Sequence, residues 1–157
     1  MAKTALRQLT YEQALTRLTS LCSTSEYCIH DINEKLYRWS INNTDSERII
    51  DFLLDEKYID EARYAQAYTN DKLRFSHWGR IKIKTMLRMK HISDSDINKA
   101  FDNISEEEYE NILRDVIQAK TKSLGDAEDY TSRTKIIRFA LQRGFEMGEI
   151  TKFISEY

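Results

Sequence analysis

The sequence predicts an all-α protein made of three tandem three-helix repeat units that form an elongated, curved helical array. Apolar residues recur with a period close to 3.6 over most of the chain, and no two strand-like stretches flank a hairpin turn. The 157 residues include no proline and only four glycines. Sandwiches and barrels need many glycine and proline turns, so this composition argues against them.

The individual helices are indicated by apolar faces and by capping residues. The clearest faces are Tyr11, Ala14, Leu15, Leu18 and Cys22, then Ile97, Ala100, Phe101 and Ile104, then Tyr109, Ile112, Leu113, Val116 and Ile117, and finally Ile150, Phe153, Ile154 and Tyr157. Capping boxes predict helix starts at Thr10, Thr44 and Ser105. Residues 79–91 keep a helical period, and residues 94–96 are expected to cap a helix at 97–104.

An internal repeat divides the chain into units. The pairs offset by 53 residues are Leu87 and Ala140, Ile92 and Phe145, Ile97 and Ile150, Phe101 and Ile154, with the cations Arg80 and Arg133, Lys82 and Lys135, Lys90 and Arg143. A fainter copy lies 51 residues upstream, where Ile32, Leu36 and Ile41 precede Ile83, Leu87 and Ile92. These matches predict units at 8–58, 59–104 and 105–157.

Charge is unevenly distributed along a chain whose net charge is only −2. Residues 72–93 carry seven lysines and arginines and no acid. The first unit lacks this block, because Ile29, Asp31 and Trp39 stand where the second unit has basic residues. One concentrated basic block predicts an anionic partner, although a solvated helix face balanced by acids of neighbouring units would give the same pattern.

Aromatic residues are interleaved with this block. Phe75 and Trp78 are interpreted as core anchors between units, and stacking on nucleic-acid bases is the alternative.

No pattern in the sequence indicates catalysis or metal binding. Cys22 and Cys28 form neither a disulfide framework nor a zinc site, and the three histidines have no ligand spacing. The four glycines form neither a Walker A loop nor a dinucleotide fingerprint. We expect no enzyme, metal or cofactor. We also expect a cytoplasmic protein with no membrane contact, because the first residues lack an apolar signal region and no apolar run is long enough to span a bilayer.

Four short stretches resemble a known family. They are residues 58–65 (YIDEARYA), 72–83 (KLRFSHWGRIKI), 87–92 (LRMKHI) and 143–145 (RGF). In this order they are similar to the RecX family of bacterial recombination regulators. The sequence departs from that family at His91, where glycine is usual. This position follows a helix and requires a positive φ, which histidine adopts at some cost.

The resemblance implies a function as well as a fold. It implies a modular helical protein that binds the RecA nucleoprotein filament along its deep groove and suppresses ATP hydrolysis, strand exchange and filament persistence in DNA repair, homologous recombination and the SOS response. It implies no enzymatic activity of its own.

We therefore predict a monomeric regulator that binds its partner through basic side chains of the second and third units. The predicted residues are Lys72, Arg74, Arg80, Lys82, Lys84, Arg88 and Lys90, followed by Arg133, Lys135, Arg138 and Arg143. A helical protein that acts directly on single- or double-stranded DNA is the alternative. An enzyme with an undirected carboxylate pair is a third reading, and no motif favours it.

Overall fold

A computed structural model describes residues 8–125 and 129–154, and its described part is entirely helical apart from turns and loops. The helices are α1 (Tyr11–Thr24), α2 (Ile29–Arg38), α3 (Asn43–Asp55), α4 (Glu61–Arg74), α5 (Arg80–Met89), α6 (Asp94–Ala100), α7 (Glu106–Ser123), α8 (Tyr130–Gln142) and α9 (Met147–Ile154). This confirms the predicted all-α class. Tyr157, which the sequence places on the last apolar face, lies outside the described residues.

Two of the predicted capping boxes have the expected first hydrogen bond. Thr10 and Gln13 form a reciprocal box at α1. Ser105 accepts a hydrogen bond from the Glu108 N–H at α7, but the Glu108 carboxylate binds Arg74 instead of returning to the cap. A distant cation thus replaces the local hydrogen bond.

Two predicted starts are wrong by a few residues. Helix α3 is capped by Asn42, whose side chain accepts from the Asp45 N–H, and not by Thr44. Helix α6 spans Asp94–Ala100 and is capped by Ser93, so it neither begins at 97 nor reaches 104. In both cases the effective cap is an earlier polar residue of a type that favours this position.

The same turn follows the middle helix of each predicted unit. Ser40, His91 and Gly144 have φ values of 57°, 59° and 94°. The next residue in each turn donates its N–H to a carbonyl five residues back, from Ile41 to Leu36, from Ile92 to Leu87 and from Phe145 to Ala140. The three turns stand at the offsets of 51 and 53 seen in the sequence, and the positive φ expected at His91 is confirmed.

The buried residues form two cores of unequal extent. One core belongs to the first three helices and includes Ala14, Leu18, Ile32, Leu36, Ile49, Leu53 and Ile59. The other is shared by α4 to α9 and includes Leu73, Ile83, Leu87, Ile97, Tyr109, Leu113, Ile136, Phe145 and Ile150. Cys28, at the start of α2, is buried in this second core. The last six helices therefore fold around one apolar cluster.

Candidate partner-binding surface

The loop between α4 and α5 places an aromatic side chain between two lysines. Helix α4 ends at Arg74, and the chain reverses through His77, which has a φ of 53°. The Trp78 N–H donates to the Lys72 carbonyl at 2.9 Å, and this bond returns the loop to the end of α4. Gly79 then caps α5, whose sequence contains no acidic residue.

We call Tyr68, Lys72, Trp78 and Lys82 the Trp78 stack. The Lys82 Nζ lies 4.2 Å and the Lys72 Nζ 4.9 Å from the centroid of the Trp78 ring, and Lys72 also lies 5.5 Å from the ring of Tyr68. Ammonium groups at such distances are attracted by the ring quadrupole. The stack therefore holds two of the predicted cations together at a defined place.

The two aromatic residues of the loop differ from each other. Trp78 is partly buried against the shared core, as expected of an anchor. Phe75 is 82% exposed, so its interpretation as a core anchor is wrong. The chain leaves α4 at Phe75, which caps the helix, and the side chain there faces solvent instead of the core.

The outer part of α5 presents further cations beside apolar residues. The Lys84 Nζ lies 5.3 Å from the ring of Phe101, and Arg88 forms a weak pair with Asp94 at 3.4 Å in which both side chains are exposed. Ile81 and Met89 are exposed on the same helix. This part of the surface combines positive charge with apolar area.

Four of the predicted cations form ion pairs or hydrogen bonds with other units of the chain through their side chains. Arg74 binds Glu108 at 2.7 Å, and Lys90 binds Asp31 at 2.6 Å. The hydrogen bond that Arg74 donates to Glu108 raises the pKa of Arg74, and the one that Lys90 donates to Asp31 raises the pKa of Lys90. The other two are Arg80 and Arg143.

Arg80 docks on the third unit with both its side chain and its backbone. Its guanidinium lies 3.7 Å from the centroid of the Tyr109 ring, 2.8 Å from a Glu106 oxygen and 3.7 Å from a Glu146 oxygen. The Arg80 N–H donates to the Tyr109 hydroxyl, which in turn donates to Glu146. Burial raises the pKa of Tyr109, so this hydroxyl stays protonated and able to donate.

Arg143 closes the same junction from the other side. Its Nη1 donates to the Ser76 carbonyl at 2.7 Å, and its guanidinium lies 5.1 Å from the ring of Phe139. The other predicted cations of the third unit, Arg133, Lys135 and Arg138, are exposed on α8. The predicted set therefore divides into inter-unit contacts and surface cations.

The sequence analysis missed a close backbone contact at this junction. The Gly79 N–H donates to the Arg143 carbonyl at 2.7 Å, and the Ile81 N–H donates to the Gly144 carbonyl at 3.0 Å. A Cβ at Gly79 would overlap the backbone of Gly144, and a Cβ at Gly144 would overlap Lys82. The sequence did carry a signal for this contact, because two of its only four glycines lie just before α5 and just after α8, where a close approach of two backbones requires a residue without a Cβ.

The described residues contain no metal-ligand cluster and no membrane-spanning helix. No three histidine, cysteine or acidic side chains in residues 8–125 and 129–154 are arranged to hold a metal ion. Over the same residues, no helix is long and apolar enough to cross a membrane.

Comparison with known proteins identifies the family. Residues 60–100 match the profile described as RecX, second three-helix domain, and residues 106–154 match RecX, third three-helix domain. A regulatory protein RecX of Clostridium acetobutylicum is 30% identical over 152 residues, which cover 93% of this chain and 69% of that protein. The one from Acinetobacter baylyi is 31% identical over 137 residues, covering 86% of this chain and 82% of that protein.

Other relatives are longer, and solved structures agree in fold. The chain spans 58% of the length of the Clostridium tetani regulatory protein RecX, to which it is 30% identical. The crystal structure of RecX from Lactobacillus salivarius superimposes with a TM-score of 0.81 at 20% identity, covering 93% of this chain and 95% of that one. A second crystal structure, of a regulatory protein RecX, gives 0.82 at 20% identity, covering 94% and 72%.

These matches confirm the resemblance found in the sequence and extend it over both units that carry the basic side chains. The two profiles cover more than half of the chain, and relatives at 30–31% identity cover most of it. The chain therefore belongs to the RecX family of regulatory proteins.

Proposed function

We propose that this chain binds the RecA nucleoprotein filament and inhibits its recombinase and ATPase activities. It would act as a monomer in the cytoplasm, in DNA repair and recombination, and would catalyse no reaction of its own. The observation that carries the proposal is membership of a family of regulatory proteins through two consecutive matched domains.

The distribution of charge supports a partner contacted at more than one place. The Trp78 stack and the outer side of α5 lie in the second unit, while Arg133, Lys135 and Arg138 lie on α8 in the third. Two weak contacts joined by a rigid connection gain affinity when both reach their partner together. The shared core of α4 to α9 provides such a connection, and a filament offers repeated binding surfaces.

Direct action on DNA is the second candidate, and one observation favours it. The ring of Phe75 is exposed beside Lys72 and Arg74 at the end of α4. Exposed aromatic rings next to cations are suited to stack on the bases of single strands.

The decisive measurement is the DNA-dependent ATPase activity of the host's RecA. We expect substoichiometric amounts of the protein to lower it, because one regulator on a filament affects several protomers. The triple variant Lys82→Glu, Lys84→Glu and Arg88→Glu should lose filament binding by about 100-fold while the far-UV circular dichroism stays helical. Lys82 and Lys84 lie against Trp78 and Phe101, so equilibrium unfolding must accompany this measurement.

A matched control reverses three cations of the first unit. The variant Lys35→Glu, Arg38→Glu and Arg48→Glu makes the same change in net charge and should keep inhibition. If both variants bind filaments equally well, the basic side chains of α5 face solvent and do not contact the filament. If the wild-type protein binds bare strands as tightly as filaments and leaves the ATPase unchanged, direct action on DNA is the correct function.

A further inference from the structure

The repeat places Arg133 where the second unit has Arg80. The two helices keep the same register at the offset of 53, because Ile83 and Leu87 of α5 and Ile136 and Ala140 of α8 are buried. Arg80 is only 23% exposed, because it packs on the Tyr109 ring between two carboxylates of the next unit. Arg133 is exposed, and among the described residues no acid or ring contacts it.

The face of α8 around this position has an apolar centre between two arginines. Tyr130 is 86% and Leu141 43% exposed, and Ile137 is partly exposed between them. At about 100° per residue these three side chains project in nearly the same direction, with Arg133 on one side and Arg138 on the other. We call these five residues the α8 face.

The charged side chains of helix α8 are all basic. Helix α8 contains Arg133, Lys135 and Arg138 and no acidic residue. Asp129 precedes the helix and caps it by accepting a hydrogen bond from the Ser132 N–H. Lys135 is near Asp129 and helps to lower the pKa of that carboxyl, after the hydrogen bonds from Ser132. The two arginines of the face have no such neighbour among the described residues.

We infer that the α8 face is a docking surface for an acidic protein surface in which carboxylates flank an apolar or aromatic side chain. The site of Arg80 shows how this chain satisfies the equivalent arginine, with Glu106, Glu146 and the Tyr109 ring. Arginine and aromatic residues around an apolar centre are typical of protein interfaces. A DNA backbone would complement the arginines and leave the exposed apolar surface of Tyr130 and Leu141 uncovered.

This inference rests on the proposed function, in which the acidic surface belongs to the recombinase subunits of the filament and not to its DNA. The α8 face would be a second filament contact beside the one proposed on α5, and carboxylates of the partner would bind its arginines. The arginine fork can bind a carboxylate through two hydrogen bonds, which lysine cannot reproduce.

The test measures affinity for RecA filaments and, separately, for bare single- and double-stranded DNA. We expect the variant Arg133→Glu and Arg138→Glu to bind filaments about 100-fold more weakly. The control Lys99→Glu and Lys122→Glu makes the same change in net charge at exposed sites outside the α8 face, and should stay within about threefold.

Two further variants examine the chemistry of the face. The variant Arg133→Lys with Arg138→Lys keeps the positive charge. Its affinity for filaments should still fall about tenfold, because lysine cannot donate the two parallel hydrogen bonds that arginine donates to a carboxylate. The variant Tyr130→Ala with Leu141→Ala keeps both arginines, and its affinity for filaments should fall about tenfold because the apolar contact area of the face is lost. Helical circular dichroism and an unchanged unfolding midpoint establish that each variant is folded, since none of the four side chains is buried.

The outcomes separate this inference from the function on which it rests. If the Arg133→Glu, Arg138→Glu variant binds filaments as tightly as its control does, the docking role of the α8 face is wrong and the proposed regulatory function is unaffected. An equal loss of bare-DNA affinity, with the lysine variant unaffected, would assign the face to phosphates and also overturn it. Wild-type protein that fails to bind filaments would overturn the proposed function first.

Discussion

The two junctions between consecutive units are built differently, although the turns that form them are the same. At the second junction, backbone meets backbone, since Gly79 and Ile81 donate to carbonyls of the turn at Gly144. At the first junction, side chains make the polar contacts. Lys90 binds Asp31, Arg63 binds Glu26 at 2.7 Å, and the ring centroids of His30 and His91 are 5.2 Å apart.

The cores follow the same division. Tyr109 and Phe145 of the third unit lie in the apolar cluster that also contains Leu73 and Ile83 of the second. Of the first unit's described residues, only Cys28 enters that cluster, and the other buried ones form their own core, which also includes Ile59 of the second unit. The second and third units therefore share one apolar core, whereas the first is joined to the second by ion pairs and by the buried side chains of Cys28 and Ile59.

The difference comes from a few residues at equivalent positions. Gly79 corresponds to Cys28 and Gly144 corresponds to His91, so both glycines of the close contact are replaced at the first junction. The described part of the first junction has no backbone hydrogen bonds equivalent to those of the second, and there Lys90 meets Asp31 and His30 meets His91 instead. An apolar repeat frame therefore carries two kinds of junction.

The largest effect is expected from a methyl group at the close backbone contact. Gly144→Ala should lower the free energy of unfolding by about 3 kcal/mol, because alanine is strained at positive φ and its Cβ overlaps Lys82. Urea unfolding followed by circular dichroism measures this loss.

Gly148→Ala is the matched control. Nothing lies within 4 Å of a Cβ at this helical glycine, so alanine should not destabilise the protein and should raise the free energy of unfolding by up to about 1 kcal/mol through its better helix propensity. Equal stability of the two variants would show that the second junction is not closely packed.

An intermediate effect should distinguish the cations of the two junctions. Arg80→Ala should cost about 2 kcal/mol, because it removes a ring contact and two carboxylate partners from a mostly buried place. Lys90→Ala should cost about 1 kcal/mol, because Lys90 has one carboxylate partner, Asp31, and no aromatic ring contact.

Double-mutant cycles with Glu146→Gln for Arg80 and Asp31→Asn for Lys90 isolate the two pair energies. A larger coupling at Lys90 than at Arg80 would reverse the ranking of the junctions.

The smallest effect concerns pH and belongs to the first junction. Burial raises the pKa of Glu61, which faces Asp31, Asp60 and Asp96 and accepts a hydrogen bond from the Ile29 N–H. A raised pKa means that the folded state holds the proton more tightly. The stability from Glu61 is therefore complete below its unfolded pKa of about 4.3 and is lost as pH rises through the folded value.

The pKa of Asp31 is shifted in the opposite direction, so its contribution to stability has the opposite dependence on pH. Burial acts to raise the pKa of Asp31, but hydrogen bonds from Lys90 and Cys28 outweigh it and hold the pKa below its ordinary value. The stability it contributes is present above about pH 3.9 and is lost as pH falls through the folded value.

Unfolding curves between pH 2 and 7 test both signs. Glu61→Gln should remove the decline above about pH 4, and Asp31→Asn should remove part of the loss on the acid side. If neither substitution alters the pH profile, the polar contacts of the first junction contribute nothing to stability.

The surroundings of the predicted partner-binding residues were only partly predictable from the sequence. A run of seven cations without an acid correctly located a basic region, because local composition is sufficient for that. It did not indicate that Arg74, Arg80 and Lys90 have acidic partners 34, 26 and 59 residues away along the chain. Such contacts depend on which helix faces meet, and a single sequence carries little information on them.

The sequence by itself determined the helical class, the repeated apolar frame and the left-handed turn at His91, because helical periodicity and turn geometry depend on residues within about one or two turns of each other. The tertiary structure alone decided which cations hold the units together and which remain on the surface. The arginines at equivalent positions illustrate this. Arg80 is covered by Tyr109, Glu106 and Glu146 of the next unit, whereas Arg133 faces solvent. A repeat specifies where a side chain stands in its own unit, and only the packing of units specifies what stands opposite it.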